Sequence, residues 1–282
     1  MNNHQDNYQG TTFHQFVNFL KALLALLGVN LKNFQLNKIC HFANHSYLSK
    51  GLLSLLLFAN IGFAKDLHFE SGDYQNTLIE LYTSEGCSSC PPADKWLSKL
   101  KQHPKLFSEI IPIAFHVDYW DYIGWQDKFA SSDYSKRQNQ YAQQGGISQM
   151  YTPQVVKNGK EDRSWRYQKK GFTDEKVGKL SVNILDDTAY ITFKPTEKYS
   201  TLVAHVALLG SGLSSTVTAG ENEDRILKHD FVVLNHTQKT SKVNRWSIKA
   251  PESSHDAQRF ALAVWVSTED SLKPIQVIGS WL

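Results

Sequence analysis

The stretch Glu80-Leu-Tyr-Thr-Ser-Glu-Gly-Cys-Ser-Ser-Cys-Pro-Pro-Ala-Asp94 decides how the chain is read. Leu78 to Thr83 is a short β-favouring run, and Ser84 to Cys90 is the loop after it. Pro91 and Pro92 then stand where a helix tolerates proline, in a first turn whose N–H groups are unpaired anyway. Ala93, Trp96, Leu97 and Leu100 recur at i, i+3, i+4 and i+7, which predicts one apolar helical face ending before Pro104. A Cys-x-x-Cys pair is therefore expected between a strand and a helix.

A lone pair of this spacing has several uses. Structural zinc needs about four ligands, and beyond residue 64 there is no cysteine except Cys87 and Cys90, with histidines scattered singly. A structural staple would close a loop of only two intervening residues and would constrain the unfolded chain little. A redox pair gains from the position, because unpaired N–H groups and the dipole at a helix start stabilise a thiolate. Cys87 is then the candidate nucleophile and Cys90 the resolving thiol that attacks the mixed disulfide. The amides of Ser89 and Cys90 are expected to serve that thiolate, and Cys90 is expected to be the shielded member.

Downstream, Ile110 to Val117 is nearly all apolar, as in a strand buried on both faces. His116, Asp118 and Asp121 follow at its C-terminal end, the edge where α/β folds place ligands. His116 and Asp118 are candidates for handling protons at the thiols, against the plainer role of closing a polar loop. An alternative set, Cys87, Cys90 and His116, would suit copper. The aromatics Tyr119, Trp120, Tyr122 and Trp125 read as packing, or as an apolar rim for a protein substrate. A helix is expected near Ser132 to Gln144, and Asn158-Gly159 after Gln154 to Val156 signals a type I′ hairpin. Trp165 to Val177 is expected to supply a last helix, weakened by Gly171.

After Lys179 helical periodicity gives way to strand candidates: Ser181–Ile184 and Ala189–Phe193 around Asp186-Asp187, then Thr201–Leu209, Phe231–Leu234, Trp246–Ile248, Phe260–Val266 and Ile275–Ile278. Short strands at this spacing suggest a β-sandwich. The expected organisation is a leader over 1–64, an α/β domain over 65–179 and an all-β, sandwich-like domain over 180–282.

The whole chain has 282 residues, 41% of them hydrophobic and 20% charged, the composition of a folded protein rather than a disordered or disulfide-dense one. Its net charge of +3 sits in the leader, where Lys21, Lys32, Lys38 and Lys50 face Asp6 alone; beyond residue 64 there are 26 basic and 26 acidic residues. That balance removes the electrostatic case for a nucleic-acid partner. Lys50, the apolar run Gly51 to Phe58, and Gly62-Phe63-Ala64 before Lys65-Asp66 have the order of a signal peptide and its cleavage site. The run is short for a bilayer span of about 20 residues, so export is expected, to periplasm or medium, with membrane contact only through an uncleaved leader. A cleavage point after residue 64 is late for such a segment. The expectation is a natural start some 35 to 45 residues downstream of Met1, at a non-ATG codon since no methionine intervenes before Met150.

The block from Glu80 to Asp94 with Trp96, then Phe115-His-Val-Asp-Tyr-Trp-Asp121, Gly124-Trp125 and Tyr151-Thr-Pro-Gln-Val-Val156, resembles a family of secreted bacterial proteins known as a domain of unknown function. Gly220-Glu-Asn222, Arg225, Leu227, His229-Asp-Phe-Val-Val233 and Trp281-Leu282 resemble the same family, so the likeness spans about residues 76 to 282. The resemblance implies a thioredoxin-like domain followed by a β-sandwich-like domain, exported in Gram-negative bacteria, with no activity attached. In thioredoxin-like folds a cis-proline packs beside the Cys-x-x-Cys and leaves backbone free for an extended substrate. Thr152-Pro153, just before the Gln154 strand, stands at that place. The leading expectation is a thiol–disulfide oxidoreductase acting on protein or small thiols without a bound cofactor. A copper-delivery protein and a non-catalytic envelope binding module are the alternatives.

Overall fold

The computed structural model describes residues 66–167 and 174–282. The expected signal peptide and downstream start lie outside the described residues. The described residues pack as one compact unit, mostly strand, with two α-helices among them.

In chain order the elements are β1 (Leu67–Glu70), β2 (Thr77–Thr83), α1 (Pro91–Lys99), β3 (Ile110–His116), α2 (Ser132–Gln143), β4 (Gln154–Lys157) and β5 (Lys160–Glu161). They continue with β6 (Gly178–Leu185), β7 (Thr188–Pro195), β8 (Leu202–Ser211), β9 (Leu213–Thr216), β10 (Ile226–His229), β11 (Val232–Ser241), β12 (Arg245–Lys249), β13 (Arg259–Thr268) and β14 (Pro274–Trp281). The expected strand at 78–83, the helix after Cys90, the strand at 110–117 and the helix at 132–144 are all present within a residue or two. The Asn158-Gly159 turn joins β4 to β5 with both residues at positive φ, 46° and 82°. The helix expected over 165–177 is not what the described residues form. Trp165–Tyr167 is a single 3₁₀ turn, and Lys176 bridges Tyr74 in antiparallel fashion; residues 168–173 lie outside the description.

The main correction concerns the boundary at 179/180. Strands from both sides of it join one eight-stranded sheet in the order β14-β13-β8-β11-β3-β2-β4-β5. The seam is the parallel pairing of β11 with β3, where Val232 faces Ala114 and the Ala114 N–H donates to the Phe231 carbonyl at 2.8 Å. The residues 65–179 and 180–282 therefore do not pack as separate bodies. β1, near the start, likewise pairs with β6 in a second sheet, β1-β6-β7-β12.

Period-two alternation on the central strands explains how one sheet serves two cores. Leu202, Ala204, Val206 and Leu208 of β8, with Leu262, Val264 and Val266 of β13, pack with Leu180, Val182, Ile191, Phe193 and Trp246 of the second sheet. The alternate residues Ala207, Leu209, Ala261, Ala263 and Trp265 belong to the other core, with β2, β3 and the apolar residues of both helices. All ten residues of β8 are buried, which is why it is apolar over most of its length, with His205 among the exceptions. β2 and β3 are parallel, so their C-terminal ends, Thr83 and His116, open on the same edge of the sheet.

Candidate disulfide site

At that edge the chain leaves β2, turns through Ser84–Ser89 and enters α1. The Cys87 N–H donates to the Ser84 carbonyl at 3.2 Å and the Cys90 N–H to the Cys87 carbonyl at 3.1 Å, a tight turn that brings the two Cα atoms to 5.4 Å. Cys87 and Cys90 form a disulfide. Two details differ from the sequence reading. Cys90, not Cys87, is the N-cap of α1, because the helix proper begins at Pro91; the Cys90 amide is spent on the Cys87 carbonyl. Both cysteines are fully buried, while Ser88 and Ser89 between them are exposed.

The loop is held on one flank by Trp120. A Cβ at Gly86 would come within 2.9 Å of the Trp120 Cβ, so only glycine allows this approach. The Trp120 indole Nε1 donates to the Thr152 hydroxyl at 2.7 Å. The Thr152–Pro153 bond is cis, as expected from its place before β4. Trp120 thus ties the cysteine loop to the proline turn, and Gln138 of α2 secures that turn by donating to the Tyr151 carbonyl at 2.9 Å. The other flank comes from the 3₁₀ turn Gly220–Asn222. The buried Asn222 amide donates to the carbonyls of Glu85 at 2.8 Å and Cys87 at 3.0 Å, and the Glu221 carboxylate accepts the Ser88 N–H at 3.0 Å.

Beneath the loop lies a buried layer of charge. His116 Nδ1 is 2.6 Å from Asp127 Oδ2, and Asp127 also accepts the N–H groups of Glu85 and Phe129, each at 2.9 Å. His229 Nε2 is 3.1 Å from Glu85 Oε1, and the Trp125 indole donates to Glu85 Oε2 at 2.8 Å. The two imidazoles meet edge to face at 4.9 Å between ring centroids. Their remaining nitrogens, His116 Nε2 and His229 Nδ1, are buried without a hydrogen-bond partner. Burial alone would raise the Asp127 carboxyl and lower the His116 imidazolium; their mutual attraction and hydrogen bond outweigh it, holding Asp127 below and His116 above its ordinary value. Burial pushes the Asp94 carboxyl up, against the pull of His229 and His116. Burial likewise opposes ionisation of Glu85, but its hydrogen bond with His229 prevails and holds it low.

Of the candidates named from sequence, Cys87, Cys90 and His116 come to one end of the sheet, and Trp120 ties Thr152 and Pro153 to it. Asp118 does not pair with His116: its carboxylate accepts the Ser135 hydroxyl at 2.5 Å, facing α2. Sequence reading missed Glu85, Asp94, Asp127, Glu221, Asn222 and His229. All but Asp127 stand inside the quoted motif blocks, yet nothing local marks their roles, since the partners are far apart in the chain. Among the described residues no group of three or more His, Cys, Asp or Glu side chains is arranged to hold a metal ion.

Asp127→Asn is expected to cost on the order of 3 kcal/mol, because it leaves a buried imidazole without its counter-charge. The sign with pH follows from the two shifts. The Asp127 contribution is complete above its unfolded value of about 3.9 and is lost as pH falls through the lowered folded value. The His116 contribution is complete below about 6.5 and is lost as pH rises through the raised folded value. Urea unfolding of both proteins should show a stability gap that narrows from pH 5.5 to pH 8.5; a constant gap would contradict the ion pair.

Residues 78–267 match the family described as protein of unknown function (DUF1223), and the chain belongs to that family. No curated protein matches the chain. Among solved structures it is similar to a structural-genomics target protein from Agrobacterium tumefaciens, with a TM-score of 0.52 and 22% identity over 75% of this chain and 95% of that one. It is also similar to HBP35 of Porphyromonas gingivalis, with a TM-score of 0.51 and 11% identity over 75% of this chain and 76% of the other. These are likenesses of fold.

Proposed function

We propose that this family member is a thiol–disulfide exchange protein, with Cys87 as the attacked and attacking sulfur and Cys90 as its resolving partner. The observation that carries the reading is the Cys87–Cys90 disulfide in the β2–α1 loop, which Trp120 links to the Thr152–Pro153 turn before β4. A thioredoxin-like arrangement within the sheet belongs to the same proposal. Parallel β2 and β3, the antiparallel β4–β5 hairpin and the two helices support it.

In the reductive direction a thiolate of a protein or small thiol attacks Cys87 Sγ, the Cys87–Cys90 bond breaks, and Cys90 leaves as a thiolate that takes a proton. A second substrate thiolate attacks the substrate sulfur of the mixed disulfide, so that the substrate leaves oxidised and Cys87 is released reduced. The oxidative direction is the reverse. The redox-active disulfide is the only cofactor this scheme needs. His116, with Asp127, is the proposed proton-handling pair beneath the cysteine loop, whereas Asp118 is engaged with Ser135. A disulfide fits the expected exported, oxidising compartment. Copper on Cys87, Cys90 and His116 lacks comparable support, because the two sulfurs are bonded to each other and a copper site would need the pair reduced. The experiment that tests the reading is the poise of the 87/90 pair in glutathione redox buffers.

A further inference from the structure

The turn Gly220–Asn222 lies more than 130 residues from the cysteines, yet it makes three hydrogen bonds to their loop. The two from Asn222 go to carbonyls and hold the loop in place. The third is of a different kind. An exposed carboxylate occupies the N–H of the residue directly after Cys87. Hydrogen bonding to the Ser88 backbone keeps Glu221 ionised, holding its carboxyl below the ordinary glutamate value. The Cys90 N–H is already spent on the Cys87 carbonyl. Two of the amides that follow Cys87 are therefore committed elsewhere, one of them to a negative charge.

We propose that Glu221 is a positioning residue of the disulfide site: by taking the Ser88 N–H and setting a carboxylate beside Cys87, it disfavours the Cys87 thiolate and so favours the disulfide over the reduced pair. The proposal rests on the reading of Cys87 as the exchanging sulfur. The chemistry is that of ionisation. Cys87 S–H gives its proton to water, and the resulting thiolate is stabilised by N–H donors and destabilised by a like charge. Reduction by glutathione, in which two thiols become one glutathione disulfide and the protein disulfide becomes a dithiol, is linked to it. At a pH where reduced Cys87 is ionised, whatever destabilises its thiolate pulls that equilibrium toward the disulfide. The other titratable groups around the loop are Glu85 within it, Asp94 on α1, Asp127, His116 and His229 in the buried layer, and Asp121, which accepts the Asp127 N–H at 3.2 Å. They are unchanged by a substitution at the surface.

The test is the pH profile of iodoacetamide alkylation at Cys87 in the reduced protein, resolved from Cys90 by mass spectrometry, for wild type, Glu221→Gln and Glu221→Asp. One unit charge at roughly 6 Å in a water-like medium changes an ionisation constant about threefold. Glu221→Gln should therefore increase the Cys87 ionisation constant about threefold and, in buffers alkaline enough to ionise reduced Cys87, shift the glutathione equilibrium toward dithiol by up to the same factor. Glu221→Asp should keep the wild-type charge effect. Raising ionic strength should bring wild type toward the glutamine variant and leave that variant unmoved, because the charge is exposed. An unchanged midpoint in Glu221→Gln, with Cys87 alkylating normally, overturns the role of Glu221 and leaves the exchange reading intact. A Cys87 unreactive in all three reduced proteins overturns both.

Discussion

Replacing Arg137 with alanine is expected to lower the unfolding free energy by about 3–5 kcal/mol, the cost of leaving a buried charge unpaired. The charge is Glu80, fully buried on β2. Arg137 of α2 meets it with two hydrogen bonds, Nε to Oε2 at 2.9 Å and a terminal guanidinium nitrogen to Oε1 at 3.2 Å. The hydroxyls of Tyr82 and Tyr141 donate to the same carboxylate at 3.0 and 2.5 Å. The guanidinium also lies 5.4 Å from the ring centres of Phe115, Tyr141 and Trp265, so it joins α2 to β3 and β13 as well as to β2. Removing the cation strips Glu80 of its counter-charge and leaves a gap between α2 and the sheet. Urea denaturation measures the loss. The double variant Glu80→Gln/Arg137→Met should recover part of it, since replacing both ions spares the desolvation of either. A loss below about 1 kcal/mol for Arg137→Ala would mean that the pair is not the lock it is taken to be.

The second large effect is on exchange itself. Cys87→Ala should abolish it, because no sulfur remains for the mixed disulfide. Cys90→Ala should behave differently. Without its resolving thiol, Cys87 should accumulate mixed disulfides with its natural partners, recoverable from cell extracts by non-reducing electrophoresis and mass spectrometry. Both cysteines are fully buried in the disulfide form, so attack at Cys87 requires their surroundings to open. If Cys90 rather than Cys87 traps partners, the assignment of the two sulfurs is reversed; if neither does, the disulfide is a staple.

The elements around the cysteines were legible because their signals are local. Pro91-Pro92 marks a helix start, the 93–100 pattern gives a face, the 110–117 run gives a buried strand, and Asn158-Gly159 gives a turn. What was not legible is long-range. Val232 meeting Ala114 in parallel is a pairing across more than a hundred residues, and no residue near either advertises it; hence two domains were expected where one sheet runs through. β9 and β10 escaped notice because Leu213–Thr216 and Ile226–His229 each bury only two side chains. The same limit applies to the site. His116 was named with Asp118 as a candidate for handling protons, but the carboxylate that meets it lies eleven residues away in Asp127. Asn222 and His229 reach the cysteine loop only because β9, β10 and the turn between them fold back against α1 and its approach.

Whether the 87/90 pair exchanges electrons with other thiols is read from its equilibrium with glutathione. Purified protein should be brought to equilibrium in buffers of graded reduced and oxidised glutathione, acid-quenched, and the free and bonded cysteines counted by mass spectrometry. An exchange protein should show a midpoint within the span of known catalysts, about −120 to −270 mV. A midpoint below about −300 mV, where structural disulfides resist the glutathione pool, would contradict the account and leave the pair as a fastening of the β2–α1 loop.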